Sequence, residues 1–138
     1  MKVVIDTNVF ISGIFFGGVP RKVLDLIGEK KITSCFTFQT FEELKCLLYH
    51  EKFDKQRKLL SFPLSHFLCK LKTSSLFFTQ LFLEPPLIIK EDPADNYILA
   101  CAIAAQASFI ISGDKHLLKL KKFRGISILS PKEFLKQI

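Results

Sequence analysis

Four short apolar runs constrain this chain more than any other feature: "KVVI" at residues 2–5, "KITSCF" at 31–36, "SFIIS" at 108–112 and "ISIL" at 126–129. Each reads as a short strand, and segments of helical pattern separate them. "PRKVLDLIGEKK" puts Pro20 at a first helical position and Val23, Leu24 and Ile27 at helical spacing. "TFQTFEELKCLLYHEKF" carries an apolar stripe at Phe41, Leu44, Leu47 and Leu48. "EDPADNYILACAIAAQA" is the clearest helix, with Asp92 placed to cap it and Pro93 at its first position. A basic helix is expected over "KHLLKLKKF", and a closing helix over "SPKEFLKQI" with Ser130 as N-cap. Strand alternating with helix implies a parallel sheet between covering helices, a three-layer α/β/α sandwich.

Residues 54–83 are less regular. Pro63 interrupts a helical pattern, and "SSLFFTQLFL" reads as strand or buried helix; the expectation is two short helices and then a strand. No repeat or Pro/Gly/Ser-rich linker divides the chain. Its 138 residues, 49% of them hydrophobic, suffice for one domain over residues 1–138 with a continuous core. The four cysteines, Cys35, Cys46, Cys69 and Cys101, are far apart and form no C-x-x-C pair, so they read as reduced core thiols. No apolar run is long enough to span a bilayer, and Met1 leads straight into "KVVI", so the expected location is the cytosol.

Ligands of open parallel sheets bind beyond the carboxyl ends of the strands, so the residues that follow each strand carry the most information. Asp6 follows "VVI", and Asp114 follows "FIISG", where Gly113 offers a tight turn. Either acid alone would serve as a turn or cap residue; two at equivalent strand ends point to a shared cleft. Glu42 and Glu43 are adjacent on a helix, about 100° apart in rotation. The apolar stripe puts Glu42 in solvent and Glu43 on the flank, either reaching across the sheet or serving as a surface charge. Asp92 is explained as a cap, whereas Asp95 in the first turn can complement the helix dipole or face the same cleft as Asp6.

Four carboxylates on one spot would repel one another unless a cation neutralised them, and an all-oxygen set suits Mg²⁺ or Mn²⁺. The chain has 20 Lys and Arg against 13 Asp and Glu, a formal charge of +7. That charge favours a polyanionic partner, although an ordinary basic surface would give the same total. An acidic pocket in a basic protein suits phosphodiester hydrolysis, with cations holding the chain and metal meeting one phosphate.

Taken together, "VIDTNVFIS", "FEELKCLL", "EDPADNYILACAIAAQASFIISGDKHLL" and "SILSPKEFL" resemble the PIN-domain nucleases, particularly the VapC-like toxins of bacterial toxin–antitoxin modules. Order and spacing match over nearly the whole chain, with no recognisable motif between residues 54 and 87. The resemblance implies a metal-dependent endoribonuclease whose acids are Asp6, Glu43, Asp95 and Asp114, holding one or two Mg²⁺ or Mn²⁺ ions. Asn8 and Ser112 would orient a carboxylate or a water. His116 stands where relatives often carry a further acid, and reads as a surface or phosphate-contacting group. Lys115, Lys119, Lys121, Lys122 and Arg124 are candidates for steering RNA, or else an ordinary solvated face. The resemblance further implies a small antitoxin partner or a homodimer, for which "SLFFTQLFL" could supply apolar surface. An alternative is a module of the same fold that binds RNA or protein without turnover.

Overall fold

The computed structural model describes residues 1–79 and 93–138, except the side chains of Pro93 and Ala94. Strand β1 (Lys2–Ile5) runs into helix α1 (Thr7–Phe15), followed by α2 (Gly18–Gly28), β2 (Thr33–Phe36) and α3 (Phe38–Leu48). A 3₁₀ turn at Glu51–Phe53 leads to α4 (Asp54–Lys58), α5 (Leu64–Ser74) and β3 (Leu76–Phe77). Then come α6 (Pro93–Ala105), β4 (Phe109–Ile111), α7 (Lys115–Leu120), β5 (Lys122–Phe123), β6 (Ile126–Leu129) and α8 (Pro131–Gln137). Among the described residues the strands lie in the order β3-β2-β1-β4-β6-β5. All neighbours are parallel except β5, which pairs antiparallel with β6.

Both faces of the sheet are covered, as parallel strands require. Val3, Ile5, Phe36 and Ile111 pack with α1, α2, α3, α5 and α8. Val4, Cys35, Ile110, Ile126 and Ile128 pack with α6 and α7 on the other face. The three layers expected from the sequence are present, with a mixed rather than wholly parallel sheet.

Several local expectations are corrected. Strand β1 ends at Ile5 as expected, but Asp6 is followed directly by a helix, for which it is the N-cap residue. The sequence pattern assigns no element to residues 9–16; there Val9, Phe10, Ile11 and Ile14 are buried along α1. Gly13 makes the close packing of α1 on α2 possible, since a Cβ there would lie 2.6 Å from Leu24 Cδ1 and 3.1 Å from the Pro20 carbonyl carbon. Helix α2 starts at Gly18, two residues before Pro20. Only Cys35 and Cys101 are buried; Cys46 and Cys69 are exposed, and all four are free thiols.

The basic segment also differs from expectation. Helix α7 stops at Leu120, because Lys121 adopts φ 60° and the chain turns back. Arg124 (φ 50°) and Gly125 (φ 81°) then form a two-residue turn between Phe123 and Ile126, which are paired across the hairpin. Two positive φ values in sequence are the signature of a type I′ hairpin. Lys122 therefore lies on an edge strand and not on the helix with Lys115 and Lys119. The Asp92 cap lies outside the described residues, as does the part of "SSLFFTQLFL" beyond Thr79; within it Leu76 and Phe77 form β3.

Candidate active site

The chain crosses the sheet outward from β1 through β2 to β3, then returns to place β4 on the opposite side of β1. The β1–β4 boundary is thus a topological switch point, where the connections diverge and leave a crevice at the carboxyl ends. Val3 pairs with Phe109, Val4 with Ile110 and Ile5 with Ile111. The same register carries Asp6 beside Ser112, and the Asp6 amide donates to the Ile111 carbonyl at 2.8 Å.

Asp6 is 5% exposed, an unusual position for a carboxylate. Ser112, itself fully buried, donates its hydroxyl to Asp6 Oδ2 at 2.7 Å. The Ser112 hydroxyl oxygen also accepts from the Asp114 amide at 2.9 Å, so one side chain joins the two acid-bearing segments. Asp114 caps α7 by accepting from the His116 amide at 2.7 Å. Burial pushes the Asp6 pKa up; the Ser112 hydroxyl opposes this, the charge of Asp114 adds to it, and the amides of Asn8 and Thr7 oppose it. Those amides act through proximity, since the Asp6 side chain closes no geometric cap bond onto α1.

The other candidate acids lie on the helices α6 and α3. Helix α6 precedes β4 and packs over β1 and β2, so its first turn stands at the carboxyl ends of the strands. That turn holds Asp95, buried at 4% exposure. Glu43 lies in the second turn of α3, which packs against α6, and is half-buried. It lines an open groove with Phe38, Gln39, Glu42 and Tyr97. Glu42, expected in solvent, is also half-buried and pairs with Lys45 at 3.4 Å.

Not every sequence-derived residue keeps the role expected of it. The Asn8 side chain points to solvent, so what it offers Asp6 is its backbone amide. Gly113 has no positive φ and a Cβ there would meet open space, so the turn before Asp114 does not require glycine. Lys115 and Lys119 are exposed on α7 one turn apart, and His116 is half-buried beside them. Sequence reasoning passed over Asn96, 2% exposed and adjacent to Asp95. Its signal was an amide inside an otherwise apolar, alanine-rich helix, where a buried polar group needs a partner. Glu43, Asp95 and Asn96 are each engaged with neighbouring groups.

Among the described residues, no three His, Cys, Asp or Glu side chains are gathered closely enough to hold a metal ion. The pair Asp6 and Asp114 nevertheless fits a hard divalent cation. Mg²⁺ is commonly held by one or two carboxylates with water filling the other positions. A desolvated carboxylate facing a second one is the electrostatic problem that such a cation solves.

Residues 2–116 match the model of the PIN domain. An uncharacterized protein of Methanocaldococcus jannaschii is 34% identical over 148 aligned positions, covering 99% of this chain and 91% of that one. Among solved structures, a chain of the VapBC2 complex of Rickettsia felis, bound to a DNA fragment from its promoter, superposes with a TM-score of 0.61. It is 17% identical, over 94% of this chain and 98% of that one. The family model spans most of the chain and the solved structure shares its fold, and the chain belongs to the PIN domain family.

Proposed function

We propose that this protein is a Mg²⁺- or Mn²⁺-dependent endoribonuclease, the toxin half of a toxin–antitoxin pair. The observation that carries the reading is Asp6, buried at the switch point, bonded to Ser112 and facing Asp114. Asp6 and Asp114 would hold the ion, with Asp95 and Glu43 contributing from α6 and α3. When bound there, a divalent cation supplies a Lewis acid that acidifies water and offsets charge on the phosphoryl oxygens. The remaining work falls to the protein. Ser112 holds one oxygen of the Asp6 carboxylate, and the other would serve the ion. Asp114 accepts the His116 amide through one oxygen, and its other oxygen would serve the ion. Burial keeps bulk water off Asp6 and strengthens every charge interaction there. Lys115 and Lys119 stand beside Asp114 and would neutralise the phosphates of the flanking chain, with His116 as a phosphate contact and Lys122 further along β5.

Similarity to a chain of the VapBC2 complex supports a small antitoxin as partner; a homodimer is the other assembly proposed. No described helix is long and apolar enough to cross a membrane. The test is cleavage of end-labelled single-stranded RNA by purified protein across a Mg²⁺ and Mn²⁺ titration, with and without chelator. Cleavage that requires the ion supports the proposal. RNA binding without cleavage at any metal concentration would favour the alternative, a binding module, which draws on the absence of a third acid closing on the Asp6–Asp114 pair among the described residues.

A further inference from the structure

The groove between α3 and α6 is lined by Phe38, Gln39, Glu42, Glu43 and Tyr97, and has a volume of about 450 Å³. From this groove we infer a nucleobase-binding subsite, in which Phe38 stacks on a base of the RNA next to the scissile phosphate. The inference rests on the ribonuclease reading above and adds to it where the substrate's bases go.

Phe38 is the most exposed phenylalanine among the described residues, at 72%. Phe36, Phe41 and Phe77 close by are paired with one another, whereas Phe38 joins no ring pair among the described residues. A single exposed apolar residue is ordinary. What distinguishes this one is its placement. Thr37 and Thr40 form a reciprocal capping box at the start of α3, which fixes the backbone that carries Phe38, the first helical residue. Strand β1 lies against β2 with Lys2 beside Thr33 and Val3 beside Ser34, a register that brings Asp6 level with Thr37. Phe38 thus follows the neighbouring strand, about 4.8 Å across the sheet, at the same edge as the acids. Tyr97, two residues after Asp95, is the second aromatic wall of the groove.

The charge of the groove selects its occupant. The Glu42 carboxylate repels a phosphate but accepts from the N–H groups on a base edge. Guanine offers two adjacent donors on its Watson–Crick edge, adenine and cytosine an amino group. Uracil offers one N–H flanked by two carbonyls, which a carboxylate repels. The subsite therefore favours amino-bearing bases over uracil, through Glu42. The phosphates on either side are left for Lys115 and Lys119 at the far side of Asp114.

The chain contains no tryptophan, so Phe38→Trp places a single indole at the subsite. In an Asp6→Asn background, which keeps substrate intact, this variant is titrated with short uridine oligomers and with the same oligomers carrying one guanosine. The expected result is quenching of the indole, stronger with guanosine, and a loss of that preference in Glu42→Gln. Phe38→Ala and Phe38→Leu, both in the Asp6→Asn background, should bind these RNAs roughly 5- to 100-fold more weakly, the range for one lost base stack. Leucine would preserve a merely apolar role. An indole that stays silent while RNA binds, or Phe38→Ala binding at full strength, overturns the subsite. Guanosine and uridine oligomers giving the same signal overturn the role assigned to Glu42. If the wild type cleaves RNA and the indole is silent, only the subsite fails. If the indole is quenched and the wild type never cleaves, only the nuclease reading fails.

Discussion

Replacing Asp6 by Asn should stabilise the metal-free protein at neutral pH while removing its activity. Burial and the charge of Asp114 raise the Asp6 pKa above its ordinary 3.8. The folded state thus holds that proton more tightly than the unfolded chain does. Below 3.8 the group is protonated in both states and costs nothing. As pH rises from there through the raised folded value, the unfolded chain releases its proton first, and stability falls by up to about 1.4 kcal/mol per pH unit. Above the folded value the full penalty persists. Asparagine removes the charge yet keeps an oxygen to accept from Ser112, and its amide can donate toward Asp114. For 138 residues each kcal/mol is worth about 3 to 4 °C in Tm. Thermal unfolding of both proteins in chelator, from pH 4 to 8, should show Asp6→Asn gaining on the wild type as pH rises. Mn²⁺ at about one hundred times its Kd should then stabilise the wild type by about 2.7 kcal/mol and leave the variant nearly unmoved. A variant less stable than wild type at pH 7 in chelator, or a difference that does not change with pH, would refute the reasoning.

Three further outcomes follow from particular contacts. Ser112→Ala removes both the donor to Asp6 and the acceptor for the Asp114 amide; cleavage should fall about 10- to 100-fold with RNA binding retained, and the acid limb of the pH–rate profile should move to higher pH. Gly13→Ala gains up to about 1 kcal/mol of helix propensity but forces a Cβ against Leu24 and the Pro20 backbone. The net expectation is a loss of about 1 to 2 kcal/mol, seen as a lower Tm; an unchanged Tm would mean α1 and α2 separate freely. A thiol reagent should label Cys46 and Cys69 in the native protein and reach Cys35 and Cys101 only on unfolding, since burial pushes the Cys101 thiol up to about 12.

The layered fold was legible because β1, β4 and β6 are short apolar runs and the segments between them keep helical period. What escaped is local. The stretch "VFISGIFF" is apolar at almost every position, so its helical period is masked, and Gly13 reads as a breaker although it serves close helix packing. The run "KHLLKLKKF" looks like one basic helix, and the signal against it was the single glycine of "FRGI", which permits the type I′ turn. At the candidate site, Asp6 and Asp114 could be found from strand ends, because a parallel sheet fixes where those ends lie. Their link through Ser112 depends on the β1–β4 register, which no spacing in the sequence reveals. The resemblance implies that Asn8 orients a carboxylate or a water; in a helix beginning at Thr7 its side chain is exposed.

The central claim is that the acid at the tip of β1 does chemistry and does not merely cap α1. Single-turnover cleavage of RNA by folded Asp6→Asn, in a Mn²⁺ buffer where the wild type is active, tests it most directly. The expected rate is at least 100-fold below wild type, with thermal unfolding showing an intact fold. Cleavage at the wild-type rate would contradict the assignment.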